Sequence, residues 1–142
     1  MDAPALCRFS VSMAADLAAG LDAMTKEKGY TNRSQAVCDM VRAQLVEHYG
    51  HEGSREIAGA ITLVYDHHKR NIQNLLTDIQ HDHGNVIIAT LHVHLDHHHC
   101  MEVLAVRGPS QTIRDVAALL AAAKGVIHGK LTVTTTGREF SR

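Results

Sequence analysis

The 142-residue sequence predicts an α+β protein in two parts. Three observations carry this. A strictly alternating segment followed by two helical periods fills roughly the first 45 residues. The stretch V46-E-H-Y-G-H-E-G-S-R-E56 then has no apolar period and holds two glycines, as a linker does. Beyond it the order is strand, helix, strand, strand, helix, strand. That order is the split ferredoxin-like βαββαβ motif, an antiparallel sheet with both helices on one face.

In R8-F-S-V-S-M13, Phe9, Val11 and Met13 fall on one side and Arg8, Ser10 and Ser12 on the other. Leu17, Leu21 and Met24 recur at helical spacing, and Gly29 supplies a stop before Tyr30. Asn32 suits the N-cap of a second helix whose apolar face is Ala36, Val37, Met40, Val41 and Leu45. A strand and two helices of this size cannot bury an adequate core, and one strand cannot make a sheet. Two copies pairing their strands across a two-fold axis would solve both problems. In the second part, strands are expected near 57–66, 88–95, 100–106 and 130–135, with helices near 69–80 and 110–123. Ile113, Val116, Ala117 and Leu120 mark the buried face of the last helix.

Apolar content of 45% and charged content of 20% are those of an ordinary globular protein, and the absence of Trp makes the core aliphatic. No run reaches the ~18 apolar residues of a membrane span, and the N-terminus lacks a signal-peptide pattern, so a cytoplasmic protein without membrane contact is expected. Cys7, Cys38 and Cys100 are odd in number and far apart, which argues against a disulfide framework. The net charge of -1 leaves no global footprint for nucleic acid. Up to residue 45, Arg8, Lys26, Lys28, Arg33 and Arg42 balance Asp2, Asp16, Asp22, Glu27 and Asp39.

The chemistry concentrates in H92-V-H-L-D-H-H-H-C100, five histidines and a cysteine in nine residues. On a strand, His92 and His94 emerge from one face, here expected to be the open one, while Leu91, Val93 and Leu95 turn towards the helices. After a turn at 96–99, Cys100 opens the returning strand beside them. Two imidazoles and a thiolate make a partial site for Zn, Cu or Ni, and spacing alone does not choose among them. A fourth ligand is needed. The nearest supply is Q80-H-D-H83 at the end of the preceding helix, presented by a second subunit if the helix packs on the opposite face.

The run T90-L-H-V-H-L-D-H-H-H-C-M-E102, with Q80-H81 before it and G29-Y-T-N-R-S34 upstream, resembles the nickel-responsive regulator family (NikR). The likeness runs from R8-F-S-V-S12 to G125-V-I-H-G129. It implies a ribbon-helix-helix DNA-binding domain over 1–46, a linker over 47–56, and an ACT-like metal-binding and tetramerisation domain over 57–142. It also implies a square-planar Ni(II) site in a homotetramer, a dimer of dimers, with His92, His94 and Cys100 from one subunit and His81 from a neighbour. The ribbon would enter the major groove of double-stranded operator DNA, with Arg8, Ser10 and Ser12 at base edges and Arg33 on phosphate. Lys69 and Arg70 would add phosphate contacts in a rearranged complex.

His97, His98 and His99 then fall in the turn, outside the primary site, and read as a solvated polar segment. The family's interdomain cation pair is matched by Asp39 but not by Gln35. Cys38 reads as a small apolar filler. The resemblance implies a regulator, a repressor activated by nickel, with no catalytic activity. The alternatives are a metal carrier or storage protein, a regulator answering another metal, and a metalloenzyme, which a closed four-ligand site disfavours.

Overall fold

The computed structural model describes residues 5–140. The chain divides into two compact units, one running to Leu45 and including Phe140, the other spanning Val46–Glu139.

The first unit contains helix α1 (Ala15–Glu27) and most of helix α2 (Arg33–Tyr49). Gly29, at φ 72°, ends α1 as expected. Its N–H donates to the Lys26 carbonyl at 3.2 Å and the Tyr30 N–H donates to the Thr25 carbonyl at 2.9 Å, the paired reverse bonds of a Schellman stop. Asn32 caps α2, its Oδ1 accepting the Gln35 N–H at 2.9 Å. Gln35 reaches back, its Oε1 accepting the Thr31 N–H at 3.0 Å. The expected strand over 8–13 is not formed: residues 5–14 have no regular structure. A strand requires a hydrogen-bonded neighbour, and a single copy of this unit provides none. Leu6, Phe9, Val11 and Met13 are accordingly exposed, and among the described residues of this unit only Thr25 and Ala36 are buried. Cys38 is exposed as well, so it fills no core space here.

The second unit has the predicted order: β1 (Glu56–Asp66), α3 (Ile72–Asp82), β2 (Ile87–His94), β3 (His99–Pro109), α4 (Ser110–Ala121) and β4 (Val126–Thr134). The sheet order is β2-β3-β1-β4 with every neighbour antiparallel, as the βαββαβ motif requires. Ile57, Ile61, Leu63 and Tyr65 of β1 and Cys100, Leu104 and Val106 of β3 meet Ile72 and Leu76 of α3 and Ile113, Val116 and Leu120 of α4 in one core. Helix α3 starts at 72 rather than 69, because residues 66–69 form a turn closed by the Lys69 N–H on the Asp66 carbonyl and Asn71 sits at φ 65°.

Helix α2 extends to Tyr49, and the stretch after it is docked rather than free. The Gly50 carbonyl accepts Ser110 Oγ and the Arg114 guanidinium. Gln111 and Ser110 donate their N–H groups to Gly53 and Arg55, so these residues satisfy the first turn of α4. Arg55 lies 3.6 Å over the Tyr49 ring. No described helix is long and apolar enough to cross a membrane.

The expected facing of β2 is reversed. His92 pairs with Glu102 and His94 with Cys100, and these β3 residues point into the helix-covered side. Directly opposed residues share a face, so the histidines lie on the helix side, while Leu91 (61% exposed) lies on the open side. The alternation was read as apolar-inward, but β2 is an edge strand and follows the register of β3.

Helix α4 packs so closely on β4 that a Cβ at Gly129 would sit 2.7 Å from Ala121 Cβ and 3.1 Å from Leu63 Cδ2. Gly129→Ala is expected to destabilise the second unit by about 1–3 kcal/mol, read as a lower urea midpoint. Gly20→Ala in α1, where a methyl meets nothing within 4 Å, should not lower it. An unchanged midpoint for Gly129→Ala would show that α4 can shift to admit a methyl.

Candidate metal centre

The centre is built where three strands end. Register places His94 opposite Cys100 across β2 and β3, and Tyr65 opposite Cys100 across β1 and β3. Just past Tyr65, the turn after β1 delivers His67. Cys100 Sγ is 3.4 Å from His94 Nδ1 and 3.5 Å from His67 Nδ1. His67, His94 and Cys100 form the described group whose donor atoms all lie within 4.8 Å of one another. With metal–sulfur and metal–nitrogen bonds of about 2.3 and 2.0–2.1 Å, sulfur and nitrogen are roughly 3.6 Å apart on a tetrahedral ion and roughly 3.1 Å apart at cis positions of a square plane. Both sulfur–nitrogen distances are nearer the tetrahedral value.

The thiol is fully buried. Burial pushes its pKa up, and the carboxylates of Glu102, Asp96 and Asp66 add to this. Cys100 is therefore a neutral thiol in the metal-free chain, and a metal must displace its proton. Desolvation lowers the His67 pKa, aided by His68 and His94, which keeps that imidazole neutral with a lone pair to offer.

His92 stands beside the trio, its ring centroid 5.1 Å from that of His94. Its Nδ1 lies 3.2 Å from Tyr65 Oη and 3.3 Å from Glu102 Oε1. Glu102 also accepts the Tyr65 hydroxyl and Gln80 Nε2, each at 3.0 Å, and Gln80 Oε1 accepts Thr90 Oγ1 at 2.9 Å. Burial, then Glu102, raises the Tyr65 pKa far above its usual value, so the hydroxyl stays protonated and donates. The network engages His92 through Nδ1 and leaves Nε2 for another partner, the arrangement of a histidine–carboxylate pair at a metal. His81, on the exposed last turn of α3, is not part of the trio.

Of the other expected site residues, Arg8, Ser10 and Arg33 line one cavity of the first unit, while Gln35 and Asp39 are not among its lining residues. Arg8, Ser10 and Ser12 are exposed in the segment before α1. Arg33 is exposed but paired, its Nε and Nη2 donating to the two carboxylate oxygens of Asp22 at 2.5 and 2.6 Å. Asp39 pairs with Arg42, and Gln35 is committed to the α2 cap.

Sequence comparison returns a match over residues 58–134 to the family described as NikR C terminal nickel binding domain. The chain belongs to the nickel-responsive regulator (NikR) family. Relatives provisionally named nickel-responsive regulators cover nearly its whole length. One from Nitratidesulfovibrio vulgaris is 48% identical over 94% of this chain and 96% of its own length. One from Solibacter usitatus is 49% identical over 95% and 97%, and one from Thermococcus onnurineus 46% identical over 95% and 98%. An uncharacterized protein of Thermotoga maritima shares the fold, at a TM-score of 0.51 and 14% identity, over 56% of this chain and 99% of its own.

Within this NikR member, sequence reasoning missed His67 and Tyr65. The signal was in V64-Y-D-H-H68: the βαββαβ order makes β1 and β3 antiparallel neighbours, which brings the end of one beside the start of the other. Glu102→Ala would leave Tyr65 and Gln80 without their acceptor, and is expected to cost about 1–3 kcal/mol in urea unfolding of the metal-free chain. Glu102→Gln, which keeps an acceptor oxygen, should cost less. Equal midpoints for wild type and Glu102→Ala would mean the network holds nothing in place.

Proposed function

We propose that this chain is a nickel-responsive DNA-binding transcriptional regulator, a repressor whose operator affinity is raised by Ni(II). The observation that carries the reading is the placement of His94 against Cys100, with His92 on the same face, inside the segment that matches a nickel-binding domain. The proposed ligands are His92, His94 and Cys100 of one subunit and His81 of a neighbour, with Glu102 and Tyr65 orienting His92. His81 is drawn from a neighbour because the family resemblance implies it; in its own chain it lies on the exposed last turn of α3, outside the trio. Nickel would then join subunits, and occupancy would bias which assembly is populated.

Two apolar surfaces support assembly into a homotetramer, a dimer of dimers. Phe9 and Val11, 78% and 67% exposed, await a partner strand, which would complete the ribbon-helix-helix unit over 1–46. The open face of the sheet carries Leu91 and, beyond β2, Leu95 is 51% exposed, which suits association of domains over 57–142. Arg8, Ser10 and Ser12 would read operator bases from the ribbon, and Arg33 would exchange Asp22 for a phosphate.

A second reading has its own support. The sulfur–nitrogen distances from Cys100 to His67 and His94 are nearer the tetrahedral value and suit zinc, so a regulator of another metal, or a metal carrier, would use the in-chain trio instead. Operator binding measured across a metal series at fixed salt separates these readings. The proposal requires nickel to be the metal that raises operator affinity. A response to zinc alone favours the second reading, and no DNA response to any metal favours a carrier.

Cys100→Ser is expected to abolish tight nickel binding and the thiolate-to-metal absorption without unfolding the chain. Mixed with His81→Ala subunits it should recover some intact sites, since each partner supplies what the other lacks. Verified mixed tetramers without recovery would place all ligands in one chain.

Arg8→Ala is expected to abolish operator recognition while leaving nickel affinity in the absence of DNA unchanged. One bidentate base contact is worth about 1–3 kcal/mol, and a two-fold dimer loses it twice. Wild-type operator binding by this variant would remove the ribbon as the reading element.

A further inference from the structure

The hairpin turn carries histidines that the nickel reading does not use, and the structure brings them to another loop. Asp66 shapes the turn after β1, its Oδ1 accepting the His68 N–H at 2.9 Å. Asp96 shapes the β2–β3 turn, its Oδ1 accepting the N–H groups of His98 and His99, each at 2.8 Å. The two loops are joined by the His67 N–H donating to the His98 carbonyl at 3.0 Å. His68 Nε2 also lies 3.2 Å from the His97 carbonyl oxygen, across 29 positions of sequence.

The result is a triangle of imidazoles on the surface. Ring centroids are 5.6 Å apart for His68 and His97, 5.1 Å for His68 and His98, and 5.0 Å for His97 and His98. Three imidazoles bound to a tetrahedral ion through metal–nitrogen bonds of about 2.0–2.1 Å have centroids roughly 5.2 Å apart. The triangle has that size. Its nitrogens do not yet converge within 4.8 Å of one another, and His68 Nε2 faces a carbonyl. All three side chains are exposed, so they can turn towards a shared ion without moving a core group. His99 is held out of the triangle, its Nδ1 lying 2.9 and 3.0 Å from the two Asp96 oxygens.

We propose that His68, His97 and His98 form a second metal site for a borderline divalent ion (nickel, zinc or cobalt), completed by water and separate from the Cys100 centre. Neutral imidazole is a ligand for all three ions. Without a thiolate or a closed set of protein ligands, the site is weaker and exchanges faster than the first. It lies next to that centre, the His67 and His68 rings being 4.1 Å apart. It depends on neither DNA binding nor nickel specificity, so it stands or falls apart from the proposed function.

The test is Co(II) titration of the full-length Cys100→Ser, His94→Ala chain, followed by calorimetry and visible absorption. One equivalent per chain is expected to bind, with the intense d–d bands of a four-coordinate ion and no thiolate charge transfer. Adding His68→Asn or His98→Asn should weaken that equivalent at least tenfold, with the metal-free thermal midpoint unchanged. Adding His99→Asn or His51→Asn should leave it as it was. Unchanged binding in the His68→Asn variant overturns the proposal. So does an equal loss in all four variants, because binding would then be spread over surface histidines at large.

Discussion

The metal centre depends on one register, the pairing of His94 with Cys100 and of His92 with Glu102 across β2 and β3. Strand side chains alternate with period two, so a slip of one residue would send both histidines to the opposite face, away from the thiol, Tyr65 and Glu102. The register is enforced from a distance. Val106 is buried in the core and pairs with Ile87 of β2, which packs against the same core, so β2 cannot slide along β3 without pulling Ile87 away from it. At the other end Asp96 fixes the length of the turn, its carboxylate bonded to the backbone of His98 and His99 and to the His99 ring. Hydrophobic burial at one end and a single carboxylate at the other thus set where His92, His94 and Cys100 stand.

The centre also occupies a boundary that few places in this fold offer. Cys100 belongs to the core, while His94, directly across from it, is on an edge strand and exposed. The pair can therefore combine a protected sulfur with a solvent-reachable nitrogen. The same boundary explains how a buried carboxylate is tolerated on a core-facing strand. Glu102 has Tyr65 and Gln80 as donors and His92 beside it, so its desolvation is compensated. Those contacts also tether α3 to the sheet through Gln80, one residue before His81. The orientation of His92 and the position of α3 are consequently set by the same group.

What could be read from the sequence was whatever repeats locally. The periods of 2 and 3.6 identified four strands and four helices, the Gly29 stop and the Asn32 cap followed from residue chemistry, and the H-x-H spacing with Cys100 pointed to the hairpin where His94 and Cys100 meet. What could not be read was non-local. The facing of β2 depended on which side of β3 was buried, and a strand of alternating histidine and leucine fits either way. His67 enters through β1, whose partner register the sequence does not display. The segment 8–13 alternates like a strand but forms none in a single chain, because a strand needs a neighbour that the chain alone does not supply.

That last point bears on how a nearly neutral chain would hold DNA in the proposed function. With cations and anions balanced up to residue 45, long-range attraction is weak, and affinity must come from where the few cations sit. Arg33 is tied to Asp22 by a two-point contact, and Asp22 is held below its usual pKa mainly by that hydrogen bond. Both side chains are more than half or about half exposed, so the pair is screened and solvated rather than locked. A phosphate offers the same fork geometry as the carboxylate, so the exchange keeps the guanidinium's bonds while releasing Asp22 to water. In the proposed function the intramolecular pair would then act as a filter. An isolated phosphate would gain little over Asp22, whereas a backbone engaged at the same time by Arg8 and the proposed ribbon would gain the sum, which would concentrate discrimination in sites that satisfy both.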